Sequence, residues 1–142
     1  MYILSFSVSS KETYLSIFNT QDKSVVTEKF VLPNDNGESL RALYNYLQLF
    51  ISRQKDISKI IMEVASNGQR SPSAERVKSE GIIELVIFDL NLFDKLSKIK
   101  TQKTKKKYKE LPDNSLWVSL NETKYASKIQ QVIAYLLIEG LI

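Results

Sequence analysis

Apolar and polar positions alternate from Tyr2 to Val8, the period of a β-strand with one covered face. Ser9-Ser10-Lys11-Glu12 reads as a turn, and Thr13 to Phe18 is again rich in β-forming residues. A second polar turn, Asn19 to Lys23, leads into Ser24 to Leu32, where Val25, Val26, Thr27, Phe30 and Val31 predict a third strand. Three strands joined by short polar turns predict an antiparallel meander. Pro33 stops it. Asp35 and Glu38 have the spacing of a capping box. Leu40, Leu43, Tyr44, Leu47, Phe50 and Ile51 then follow the helical i, i+3, i+4, i+7 rule, and their stripe needs a sheet to cover.

The pattern then changes period. Ile57 to Val64 contains the apolar run Ile60-Ile61-Met62 followed by Glu63, which predicts a central strand buried on both faces. Ser71-Pro72 predicts a cap and first helical position, with a short helix through Glu80 that Gly81 ends. The apolar run Ile82 to Phe88 predicts another strand, and Leu90 to Ile99 a short helix. After the turn signal Leu111-Pro112-Asp113-Asn114, helical periodicity returns from Asn121, with Ala126, Ile129, Val132, Ile133 and Leu136 on one face. The order is β-β-β-α-β-α-β-α. It predicts a single α/β domain over residues 1–142, with a mixed five-stranded sheet and helices on both faces.

Composition narrows the chemistry. The 142 residues contain no Cys and no His, which excludes disulfides, thiolate catalysis, imidazole acid–base chemistry and Cys/His zinc sites. Any metal would be a hard ion held by oxygens, such as magnesium. No apolar run approaches the roughly 20 residues that span a bilayer. Met1-Tyr2-Ile3-Leu4 reads as the start of a strand and not as a signal peptide, so the expected location is the cytoplasm, with no membrane partner. Charge is unevenly placed. Lys98, Lys100, Lys103, Lys105, Lys106, Lys107 and Lys109 occur with no acid among them; setting their +7 against the net +4 leaves −3 elsewhere.

The opening Met1-Tyr2-Ile3-Leu4-Ser5-Phe6-Ser7, the run Ile60-Ile61-Met62-Glu63, the stretch Ser73 to Gly81 with Lys78-Ser79-Glu80-Gly81, the segment from Phe88-Asp89-Leu90 through the lysines, and the helix Asn121 to Leu137 fall in an order that resembles the RNase H-like superfamily. The similarity is sharper to the RuvC-type Holliday-junction resolvases and to a related small bacterial family of unknown function. That resemblance implies about four acids around one or two magnesium ions: one on the first strand, one ending the fourth, and a pair on the last helix. It also implies that the first and fourth strands are neighbours. Here the first position carries Ser7 and the second Glu63; on the last helix Glu122 matches one acid, but three residues on stands Tyr125, beside Lys124. Two of four ligands are too few to hold two divalent ions.

Each candidate has a plainer alternative. Glu63 can be a strand-end acid that is exposed or paired with a lysine, and Glu12, Asp56 and Asp89 solvated or capping acids. The lysine run, with Tyr108 able to stack on a base, suits phosphate binding, but it also suits a solvated loop or an acidic protein partner. Tyr44 and Trp117 read as core; Tyr46 and Tyr108 read as freer. The expectation is therefore a catalytically degenerate RNase H/RuvC-like domain that needs no cofactor and binds DNA, RNA or a nucleic-acid-associated partner. Ser7, Glu63 and Glu122 would mark the old catalytic face, and the lysines and Tyr108 the contact. The competing expectations are a divergent magnesium nuclease using Glu63, Glu122 and Asp89, and a protein-interaction domain of the immunity or accessory kind.

Overall fold

The computed structural model describes residues 1–22, 24–65, 72–100, 102, 103 and 106. Strands β1 (Tyr2–Ser9), β2 (Glu12–Asn19) and β3 (Val25–Val31) form the meander. The first turn is tight, with Ser10 in the left-handed region at φ 55°. Helix α1 (Gly37–Ser52) crosses over to β4 (Ile57–Val64), which pairs with β1 in parallel. Helix α2 (Ala74–Asp89) and a 3-10 turn (Phe93–Lys95) lead to β5 (Leu96–Lys100), parallel to β4. The sheet order is β3-β2-β1-β4-β5. The element order and the five-stranded mixed sheet agree with the sequence pattern.

One face of this sheet carries the core. Leu4, Phe6 and Val8 of β1, Leu15 of β2, and Ile60 and Met62 of β4 pack against Leu43, Leu47, Phe50 and Ile51 of α1 and Ile83, Val86 and Ile87 of α2. Both described helices lie on this face and touch each other. The closing helix expected from Asn121, and Trp117, lie outside the described residues.

Four local expectations are corrected. Asn36, not Asp35, caps α1: its side chain accepts from the Ser39 backbone N–H, while Asp35 pairs with Lys78 at 2.9 Å. Ser73 caps α2, accepting from the Arg76 N–H at 3.2 Å. The third correction is larger. Gly81 does not end a helix; it lies inside α2, and the segment Ile82–Phe88 expected as a strand is that helix's second half. The stop is Asn91, at φ 59°, with Asn91 N–H bonded to Phe88 O and Leu92 N–H to Ile87 O. This is a Schellman closure, sealed by Leu92 and Ile87 in one apolar cluster. Most of the segment Leu90–Ile99, expected as a helix, is the 3-10 turn and strand β5.

Candidate functional site

Strand alternation puts Ser5 and Ser7 of β1 on the face opposite the core, with Tyr14 and Ser16 of β2, Thr27 of β3, and Ile61 and Glu63 of β4. Most of these positions are polar yet buried: Ser5, Ser7, Ser16, Thr27 and Glu63 all have low exposure, Glu63 none at all. Ser5 and Ser16 stand opposite each other across the β1–β2 ladder and share a hydrogen bond. Burying a polar group is costly unless it is hydrogen-bonded, and among the described residues the Thr27 Oγ1 has no hydrogen-bond partner.

The β1–β4 register pairs Ser5 with Ile61 and Phe6 with Met62, so one step further Ser7 comes level with Glu63. The Ser7 hydroxyl donates to Glu63 Oε1 at 3.4 Å, long for a hydroxyl donor. Ser7 is also opposite Tyr14, Tyr14 opposite Lys29, and Glu63 opposite Ile99. One row, Lys29–Tyr14–Ser7–Glu63–Ile99, thus crosses all five strands. The resemblance implied that positions 7 and 63 would meet, and they do.

Sequence reasoning missed Arg76. From the first turn of α2 its Nη2 lies 3.7 Å from Glu63 Oε1, while its Nε donates to Glu80 Oε1 at 3.0 Å. Glu80 Oε1 also accepts the backbone N–H of Ala65 at 3.1 Å, tying the end of β4 to α2. Arg76 keeps only 18% side-chain exposure. The signal in the sequence was the i, i+4 pair Arg76/Glu80 just after a strand ending in an acid. What the helical register could not show is that this face turns toward the end of β4.

These residues do not fit a two-metal centre. Magnesium needs several anionic or carbonyl oxygens in a nearly octahedral shell. Beside Glu63 stand a neutral hydroxyl and a guanidinium, whose fixed positive charge repels a divalent ion. Among the described residues, no three acids gather in a metal-binding group. Asp89 is remote from the row: it ends α2, about 20 Å along the helix from Arg76, and accepts from the Tyr44 hydroxyl. Asp56 is at the start of β4, 3.5 Å from the N-terminal amine. Glu12 accepts from the Tyr14 hydroxyl. Glu122, Tyr125 and Lys124 lie outside the described residues.

That last hydrogen bond, with burial and the Glu12 charge behind it, pushes the Tyr14 phenol up to about 12. Tyr44 is raised by its bond to Asp89, and Asp35 is held below the usual carboxylate range by Lys78. Tyr46 is not free, as its place in the sequence implied. It packs between Phe30 and Phe50, with ring centroids at 5.0 and 6.3 Å, and donates to Glu28 at 2.5 Å. Burial, followed by that bond, raises its phenol strongly.

Lys98 and Lys100 are on β5, either side of Ile99. Lys100 is level with Val64, the residue after Glu63. Lys98 forms an ion pair with Glu84 of α2. Lys100, Lys103 and Lys106 are exposed. Lys105, Lys107, Tyr108 and Lys109 lie outside the described residues.

A β3-β2-β1-β4-β5 sheet whose first strand pairs antiparallel on one side and parallel on the other is an RNase H-like fold. Its counterparts among solved structures are of the RuvC type. The chain is similar to Thermus thermophilus RuvC, with a TM-score of 0.66 at 10% identity over 99% of this chain and 97% of that one. Against T. thermophilus RuvC in complex with a Holliday junction substrate the TM-score is 0.67 at 10% identity, over 99% and 96%. No protein-family model matches the chain, and no curated protein matches it by sequence. Among the described residues, no helix is long and apolar enough to cross a membrane.

Proposed function

We propose that this chain is a catalytically degenerate RNase H-like domain that binds nucleic acid. The observation that carries the reading is the set of groups around Glu63: a serine on the neighbouring strand and an arginine on the following helix. A carboxylate so placed is neutralised by the protein's own cation, which removes the need for a metal ion there. The remaining phosphate-binding feature is the lysine-rich sequence Lys98 to Lys109, whose first members, Lys98 and Lys100, are on β5 either side of Ile99. RuvC, whose fold this chain shares, has been seen with a Holliday junction on it. Nucleic acid is thereby preferred over an acidic protein as the ligand of the lysines.

Binding through lysines to phosphates is salt-dependent and little concerned with sequence. The test is a titration of branched DNA, duplex DNA and single-stranded RNA across a salt series, with magnesium, manganese or EDTA. Affinity should fall steeply with salt and stay the same in EDTA, with every substrate intact. Cleavage in magnesium that Glu63→Gln abolishes would replace this reading with a divergent nuclease. Absence of binding at low salt would leave the fold as a scaffold for protein contacts.

A further inference from the structure

Two carboxylates from different elements share one cation. Glu63 is the last buried residue of β4, and Glu80 is on α2, one helical turn after Arg76. Nη2 of Arg76 lies 3.7 Å from Glu63 Oε1, and the neighbouring Nε donates to Glu80 Oε1 at 3.0 Å. Both oxygens are also held from the sheet. Ser7 donates to Glu63 Oε1 at 3.4 Å, and the Ala65 N–H to Glu80 Oε1 at 3.1 Å. The cluster is nearly closed to water, with side-chain exposures of 0% at Glu63, 14% at Glu80 and 18% at Arg76. Two carboxylates withdrawn from water beside each other repel unless a cation stands with them.

We propose that Arg76 is the resident cation of a latent single-ion site formed by Glu63, Glu80 and Ser7, and that its guanidinium keeps a divalent ion out. This role rests on the degenerate reading above and gives it a physical cause: the chain supplies, from α2, the charge that a metal would bring. A single ion asks less than a two-metal centre does. One or two carboxylates, with water in the other positions, hold magnesium. Glu63 and Glu80 meet that number, and the Ser7 hydroxyl adds a neutral oxygen. Glu80 is the new member, since the resemblance implied acids on two strands and the last helix and none on α2. A guanidinium suits the place because it stays charged when buried and offers several N–H donors in one plane. A second cation brought to the same oxygens would meet that charge at contact distance.

The experiment is manganese binding to the whole chain, read from the electron paramagnetic resonance of the free ion. The wild-type chain, and Arg76→Lys, which keeps the charge, should bind no manganese that depends on Glu63. Arg76→Gln should bind one ion per chain, at least about tenfold more tightly than wild type, and should melt at a higher temperature once the ion is added. Glu63→Gln or Glu80→Gln in the Arg76→Gln background should abolish both effects, whereas Glu38→Gln, on α1, should leave them. Wild-type binding of one ion that Glu63→Gln removes overturns the proposal, because a metal then enters with the guanidinium in place. So does a folded Arg76→Gln chain without the gain, a gain that Glu80→Gln leaves intact, or the same gain in Arg76→Lys. An Arg76→Gln chain that stays unfolded in millimolar manganese overturns it too, since the ion should replace the lost charge. No nucleic acid is present, so a failure of the lysines to bind phosphate leaves each of these outcomes readable.

Discussion

Glu63 has no exposure to solvent, and a carboxylate in that position must be neutralised or solvated by its neighbours. Arg76 contributes a charge at 3.7 Å and hands its other edge to Glu80. Removing one member of a buried ion pair typically costs about 3–5 kcal/mol because the other is left uncompensated. Arg76→Met should therefore destabilise the protein by about 3 kcal/mol, measured by urea unfolding. The double change Arg76→Met, Glu63→Gln should recover part of that loss, since neither charge is then stranded. A double-mutant cycle without coupling would show that the two residues do not act as a pair. Tyr14, in the same row, gives a pH prediction. Its folded-state phenol is raised to about 12 from the ordinary 10.0, so the stability it contributes is complete below pH 10 and is lost as pH rises toward 12. In an ultraviolet phenolate titration Tyr14→Phe should delete a component near pH 12 and make the alkaline loss of stability shallower.

At the scale of elements, the meander, α1 and β4 were legible because each carries one period. β1 alternates, α1 repeats by three and four, and β4 is apolar on both sides and bounded by polar turns. Helix α2 was not legible, for a physical reason. Ile82, Leu85 and Phe88 fall outside the buried stripe of Ser79, Ile83, Val86 and Ile87 and blur the helical period, so Ile82 to Phe88 reads as an apolar strand. Gly81 then looked like a C-terminal cap, although the left-handed residue that ends the helix is Asn91. Asn91→Gly should be neutral or slightly stabilising in thermal melts, whereas Asn91→Val should destabilise by about 1–2 kcal/mol, since β-branched residues resist positive φ. At the other end, Ser73→Ala should cost about 1 kcal/mol through the lost bond to the Arg76 N–H. It should also loosen the Arg76–Glu63 contact that this turn positions.

For the whole molecule, the candidate site was half readable. The resemblance implied that Ser7 and Glu63 stand on neighbouring strands, and the sheet order puts them there. The sequence could not show Arg76 or Tyr14 beside them, since those depend on the register of α2 and on the β1–β2 pairing. Charge placement belongs to this scale as well. Net charge outside the lysine run is negative, so the proposed phosphate binding rests on one segment and not on the surface as a whole. Neutralising Lys105, Lys106 and Lys107 together should lower the slope of log affinity against log salt by about 2–3 units, as for three lost phosphate contacts. Charge reversal of the Lys78 side of α2 should leave that slope unchanged.

Strand β1 is the seam of the sheet: on one side it meets a partner reached through a two-residue turn, on the other a partner 56 residues away from Ser7. The hairpin half needs only local chain closure, on the order of microseconds. The other half waits for the α1 crossover and its larger loss of chain entropy. The Ser7–Glu63–Arg76 cluster is consequently among the last parts of the protein to assemble, and damage to it should appear mainly in how fast the finished protein comes apart.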